Sequence, residues 1–451
     1  MKRVFSVLSV ALLLSFTSKA QMQPCGLDEV RKKMIQDNPS LQFEFDQYEQ
    51  QINQIAAAQA MSKSTAITDT IPVVFHIVLR WQHINNLGGI QGIIDRCKSQ
   101  IDALNRDYNA QNADSVNIPA AFKPLYGNAK IHFGLAHTAP NGAASPGYTI
   151  DTVTIAGFDP MAQGSYGSGY ICSDAKYAAA GGADAWNTAK YLNVWVVNTA
   201  PNGTQGGFVA GIATHPSMIN QLPAVELGCV IHYGTFGRRE AGNQYFINNL
   251  DSGRVLVHEV GHFLGLWHVW GNDQGGCTAD DGVADTPPQD VATQSYCPTF
   301  PLLDNCTPTG NGVMFMNYMD YSSENCQHMF SNGQVAKINA AANNSYPSLT
   351  THPELIRYPI VTGVSQVAGN APAFTVSPNP ARNTVMVNVA ENNTQLRKIS
   401  IINNVGQVMN AITAESGRDI YAIDVQGLAA GMYFVQCAYQ NGVETQKIIV
   451  E

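Results

Sequence analysis

Three of the chain's eleven histidines fall within one short stretch, HEVGHFLGLWHVWG, running from His258 to Gly271. On a helix His258 and His262 lie one turn apart on the same face. Two imidazoles so spaced can hold one divalent ion, and zinc is the usual choice for nitrogen ligands. A straight helix cannot bring His268 to that ion. Gly265 removes the obstacle, because glycine accepts the left-handed geometry that ends a helix and lets the chain turn back with a third ligand. Three protein ligands leave a fourth position for water, the arrangement of a catalytic rather than a closed structural site. Glu259, beside the first ligand, is placed to take a proton from that water and pass it to a leaving amine. The chemistry expected is metal-assisted hydrolysis of an amide.

The elements around this stretch must hold it still. Leu256, Val260, Phe263 and Leu264 form one apolar stripe on the helix, facing away from the histidines. Upstream, TIPVVFHIVL is a β-type run, IIDRCKSQIDALNRDYN has a helical period, and KIHFGLAH and YLNVWVVNT read as buried strands. GADAWNTAK reads as a helix and GCVIHY as an edge strand, which together suggest an α/β half-domain. After Gly271 the chain is rich in Gly, Pro, Asp and Cys until GQVAKINAAAN, a closing helix. A Pro-containing linker is expected over 351–372. From 373 onward the pattern is short strands and turns, including a hairpin around Asn441-Gly442, which predicts a separate all-β sandwich.

A chain of 451 residues predicts two or three domains. Its 25 basic and 34 acidic residues, with no basic run, argue against nucleic acid as the main partner. Residues 1–20 read as a secretory signal: Lys2 and Arg3, an apolar run from Val4 to Phe16, then Ser18-Lys19-Ala20 as a cleavage site. No other segment is long and apolar enough to span a bilayer. Residues 21–65 are polar, with helical spacing in LDEVRKKMIQDN, and have little with which to build a core of their own. In an exported chain the nine cysteines should be partly paired, with at least one left over. Cys277, Cys297, Cys306 and Cys326 cluster after the histidines, and sequence alone permits three pairings of these four.

The histidine pattern is the metzincin signature. With IPVVFHIVL, CTADDGVADTPPQ and NYMDYSSENCQHMF, it makes residues 66–350 resemble the pappalysin family of metzincins, in particular its cytophagalysin and ulilysin-like branch. The resemblance implies an α/β metzincin endopeptidase: a mixed twisted sheet, an active-site helix and a loop-rich lower subdomain. It implies zinc on His258, His262 and His268, with Glu259 as general base. Met319 would form an apolar floor under the site, and Tyr321 would stand near the metal to assist the transition state. It places the bridges on Cys277–Cys306 and Cys297–Cys326. It suggests calcium at Asp281, Asp285 and Thr286, whose hard oxygens suit that ion. Cys25-Gly26 resembles the cysteine motif of family pro-segments, in which a thiolate fills the fourth zinc position and keeps the zymogen silent. One departure matters: arginine-preferring relatives carry an aspartate just before the last bridge cysteine. Here that place is Asn325, with Glu324 beside it as a possible substitute in a specificity pocket.

VSPNPARNTVMV, NNVGQVM, GLAAGMYFVQ and QKIIV make residues 373–451 resemble the C-terminal sorting domain of type IX secretion in Bacteroidetes. The expectation is therefore a secreted or surface-attached zinc endopeptidase made as a zymogen. Its partners would be protein or peptide substrates and the type IX machinery, without a membrane span in the mature form. The rival from another class is a secreted adhesive or binding protein whose zinc is only structural. The pairing of Cys97, Cys172, Cys229 and Cys437 stays open.

Overall fold

The computed structural model describes residues 22–61, 69–356 and 374–451, less 161–163, 201–207, 241–244, 248–249, 272–275, 279, 295, 390–395, 404–406, 416–417 and 440–441. The expected signal at 1–20, most of the linker and Asn441 of the hairpin turn lie outside the described residues. The chain divides into two units, residues 1–356 and 357–451.

The first unit is organised on a seven-stranded mixed sheet. Its strands are β1 (Met22–Cys25), β2 (Asp69–Leu79), β3 (Ile131–Leu135), β4 (Tyr148–Thr152), β5 (Leu192–Val197), β6 (Phe208–Ala213) and β7 (Cys229–His232). The order is β1-β6-β7-β5-β2-β3, with β4 paired to the second half of β2. β6 and β7 pair antiparallel, while β2 pairs parallel with β3, β4 and β5. The near-continuous apolar run of β2 follows from this position, since a strand covered on both faces has no solvent side to mark with polar residues. Val73, Phe75, Ile77 and Leu79 enter one buried cluster and Val78 another, as the two-residue period of a strand requires.

Helices α1 (Leu27–Asp37), α2 (Leu41–Met61), α3 (Trp81–Asn86), α4 (Gly89–Tyr108), α5 (Arg254–Phe263) and α6 (Asn332–Ser345) complete the unit. In α4, Ile93, Cys97, Ile101 and Leu104 recur at helical spacing and join the cluster that also holds Leu256, Val260 and Phe263 of α5. Tyr108 at the end of α4 donates to the Val257 carbonyl of α5 at 3.0 Å. On the other sheet face, Leu27, Val30 and Met34 of α1 pack with Trp195, Met218 and Trp267. Residues 22–61 thus have no separate core; they pack into those of the rest of the unit. Full burial of each such side chain contributes on the order of 2 kcal/mol.

Three expectations are corrected. GADAWNTAK is an irregular loop, not a helix, because Asn193 takes its backbone: Trp186 N–H donates to the Asn193 side-chain oxygen at 2.7 Å, and the Asn193 amide donates to the Trp186 carbonyl at 3.1 Å. The strand in GCVIHY is internal, between β6 and β5. The first unit also runs past residue 350, since Thr351 bridges to Thr70 and Ile356 to Ala136.

The second unit is all β. A four-stranded sheet, β11-β10-β13-β14, combines Val408–Thr413, Leu396–Asn403, Gly431–Tyr439 and Gly442–Val450. A three-stranded sheet, β12-β9-β8, combines Ile420–Asp424, Thr384–Val389 and Phe374–Ser377. Val385, Val387, Ile399, Ile401, Ile423, Val435 and Ile448 from both sheets form its core.

Candidate active site

The α5 helix stops where glycine permits. Gly265 has φ +87°, its N–H donates to the His262 carbonyl at 3.0 Å, and the Leu266 N–H donates to the Gly261 carbonyl at 2.9 Å. That pair of bonds is the Schellman ending, which satisfies two carbonyls while reversing the chain. The reversal brings His268 back to the helix. The three Nε2 atoms converge, with His262 to His258 at 3.0 Å, His262 to His268 at 3.1 Å and His258 to His268 at 3.2 Å. Including Cys25 Sγ, all four ligand atoms lie within 4.8 Å of one another.

This set fits a zinc ion. Each Nδ1 already has an acceptor: the Tyr318 carbonyl at 2.7 Å for His258, the Leu266 carbonyl at 2.7 Å for His262 and Asp28 Oδ2 at 3.0 Å for His268. A proton on each Nδ1 leaves each Nε2 with its lone pair turned inward. Burial, then the His268 ring, push His258 down to about 3, which keeps its imidazole neutral. Three buried lone pairs facing one another repel unless a cation lies between them.

Glu259 is fully buried, and its Oε1 has no hydrogen-bond partner. Its Oε2 accepts from the Cys25 thiol at 3.6 Å. Burial raises the Glu259 carboxyl well above the ordinary range. Burial and then the Glu259 charge likewise raise the Cys25 thiol, so a thiolate at this place needs a cation beside it. The Tyr321 hydroxyl lies 3.0 Å from His268 Nε2, and burial keeps it a phenol that can donate. Met319 is fully buried beneath α5, so close that a side chain at Gly261 would meet its sulfur at 2.5 Å.

β1 ends beside the histidine cluster. β1 pairs parallel with β6, setting Cys25 opposite Gly211. A cavity of 520 Å³ beside it is lined by Cys25, Asp28, Glu29, Trp270, Val291, Ala292 and Tyr321 among others.

The remaining expected residues divide. The bridges are Cys277–Cys306 and Cys297–Cys326, with Cα separations of 5.3 and 5.7 Å. Cys25, Cys97, Cys172, Cys229 and Cys437 are buried and unpaired. Asp281 accepts from the Thr286 hydroxyl at 2.7 Å, but the Asp285 carboxylate turns away to Ser331 Oγ at 2.6 Å and Gly333 N–H at 2.9 Å. The Lys337 ammonium donates to the Asp281 carbonyl at 3.0 Å. Asn325 is exposed at the bridge, its side-chain oxygen 3.1 Å from the Cys297 sulfur. Glu324 points elsewhere: buried, it accepts from Ser252 N–H at 2.6 Å and Val255 N–H at 2.9 Å, at the positive end of α5. Its carboxylate caps the active-site helix.

Other contributors escaped sequence reasoning. Trp270 stacks on His268 at 4.3 Å and 8°, and its place two residues after a ligand was the available signal. Gly211 leaves room for Glu259, since a Cβ there would lie 2.5 Å from its carboxylate oxygen. Asp28 carried no periodic signal at all.

A family model described as pregnancy-associated plasma protein-A matches residues 178–343, and one described as the secretion system C-terminal sorting domain matches 375–451. An extracellular metalloprotease of Arthroderma otae is 37% identical over 152 residues, 34% of this chain and 50% of that protein. One from Arthroderma benhamiae is 30% identical over 283 residues, 63% of this chain and 75% of that protein. The chain therefore spans about half the length of some curated relatives and three quarters of others. Among solved structures, a variant of Tannerella forsythia promirolysin is similar at TM-score 0.62 and 34% identity, covering 74% of this chain and 99% of that one. Mature mirolysin of the same organism, in complex with a cleaved peptide, is similar at TM-score 0.56 and 36% identity, covering 64% and 99%. With the histidine geometry in place and these relatives matched, the chain belongs to the pregnancy-associated plasma protein-A family, the pappalysin metzincins.

Proposed function

We propose that the protein is a secreted zinc-dependent endopeptidase, made as a latent zymogen and exported through its C-terminal sorting module. The observation that carries the activity is the convergence of His258, His262 and His268 beside a buried Glu259 with a free carboxylate oxygen. When bound, zinc would polarise the scissile carbonyl and acidify water at the position the imidazoles leave open. Glu259 takes the proton of the attacking water on its carboxylate and returns it to the leaving amine nitrogen. Tyr321, with its hydroxyl at the histidine cluster, donates to the oxygen on which charge develops. Trp270 and the Tyr318 and Leu266 carbonyls, which remain after processing, keep the rings from turning.

Residues 21–65 act as the pro-segment in this reading. β1 covers the edge of β6, and Cys25 lies with the three histidines as a fourth ligand. Loss of the segment frees that edge for an extended peptide, whose backbone would pair where β1 did. Asn325 supplies no charge at its place, so a preference for arginine is not part of the proposal. Calcium at Asp281, Asp285 and Thr286 would require Asp285 to release Ser331 and Gly333. A structural-zinc binding protein fits less well, because a closed site does not need the unpartnered Glu259 oxygen.

The test is Glu259→Ala in the processed protein. It should keep zinc and lose peptide-bond hydrolysis by at least about 100-fold. Wild-type protein that binds zinc yet cuts no unfolded protein after processing would favour the binding-protein reading.

A further inference from the structure

The three zinc ligands differ in who holds them. His258 and His262 donate through Nδ1 to carbonyls of Tyr318 and Leu266, both within the catalytic body. His268 donates to a carboxylate, Asp28 Oδ2 at 3.0 Å, which belongs to α1 of the pro-segment. Asp28 is placed by the same short stretch that places Cys25: Gly26 N–H donates to the Gly211 carbonyl at 3.0 Å, and α1 starts at the next residue. Its second oxygen is buried without a partner, so the carboxylate has not been drawn off by another donor. Trp270 lies flat against the His268 ring, which therefore cannot swing to find a different acceptor.

We propose that Asp28 is a positioning residue for the metal site of the zymogen, acting through His268. This rests on the zinc reading above. The carboxylate fixes the proton on Nδ1, aims the Nε2 lone pair at the ion, and makes the imidazole a stronger donor than a carbonyl partner would. The latent chain is then the form that holds zinc best, and processing removes an outer support of the third ligand together with the Cys25 plug. The pro-segment helps to assemble the site that it silences.

The experiment uses the full zymogen loaded with zinc, as wild type, Asp28→Asn and Asp28→Ala, and follows zinc release into an excess of chromophoric chelator. Alkylation of Cys25, read by peptide mass spectrometry, reports in parallel whether the segment stays docked. Outer partners of ligating histidines are worth roughly 10- to 100-fold in metal affinity. Asp28→Asn, which keeps shape and loses charge, should release zinc about tenfold faster, and Asp28→Ala faster still, with Cys25 protected in both. The same ratio should appear in a Cys25→Ser background. Release at the wild-type rate overturns the proposal. So does faster release accompanied by exposed Cys25, since Asp28 would then act by docking the segment. Wild-type zymogen that retains no zinc defeats the zinc reading itself, a result distinguishable from either.

Discussion

The helix-and-sheet wall of the cleft, built from α5 and the strands behind it, is fixed mostly by apolar burial. The facing wall, residues 277–326, is fixed by cross-links and by carboxylates that accept backbone N–H groups. Leu256, Val260 and Phe263 sink into the main core. Across the cleft, Asp304 accepts from Asp290, Cys306 and Thr307 N–H groups, and Asp320 from those of Thr293 and Tyr321. A wall whose one regular element among the described residues is the short 3-10 turn Glu324–Cys326 has few ladder bonds of its own, so side chains must satisfy its backbone. Precision at one site is thus reached by two routes, and they should fail under different insults.

The largest separation of the two should come from the Cys297→Ser, Cys326→Ser pair. Closing a loop with the observed 29-residue separation stabilises by about 3 to 4 kcal/mol. Removing the bridge should lower thermal stability accordingly and open 277–326 to proteolysis, while the three-histidine site still takes up zinc. Loss of zinc uptake in equal measure would show that the walls are not independent.

Glu324 joins the walls, because it belongs to one and caps the helix of the other. Burial pushes its carboxyl from 4.5 up to about 7, against the two N–H bonds that favour the charged form. The folded state therefore binds the extra proton between those values. The stabilisation is complete below about pH 4.5 and is lost as pH rises through 7, by about 3 kcal/mol at most. Unfolding of wild type and Glu324→Gln, measured across that range, should show the wild type losing ground to the variant as pH rises. A constant difference would contradict it.

A smaller effect is expected at Gly265. Alanine there is strained at φ +87°, costing roughly 1 to 2 kcal/mol, and its Cβ would meet that of Ala341 at 2.9 Å. Gly265→Ala should weaken zinc retention while leaving 277–326 as protease-resistant as before. Unchanged zinc retention would mean that the bend does not set the third ligand.

The same contrast explains what the sequence discloses. The helix, its bend and all three converging histidines lie within fifteen consecutive residues, Arg254 to His268, so spacing and one glycine sufficed to bring them together. The strands with apolar runs were equally legible, but β6, Phe208–Ala213, was not, since its small residues carry weak strand preference. Their smallness is functional: Gly211 makes room for Glu259. Glu324 and Asp285 looked like pocket or calcium residues because a carboxylate shows its charge in sequence and conceals its partner. The partners proved to be helix N-termini remote in the chain, beyond what local pattern reveals. Asp28 was hidden for the same reason, in a stretch whose composition announced only polarity.

The account stands on three imidazoles holding one ion whose fourth position changes hands on maturation. X-ray absorption at the zinc edge, recorded on the zymogen and on the processed chain, addresses that directly. Three nitrogens and one sulfur before processing, and three nitrogens and one oxygen after it, are the expected results. Two imidazoles in either form, or sulfur persisting in the processed chain, would contradict it.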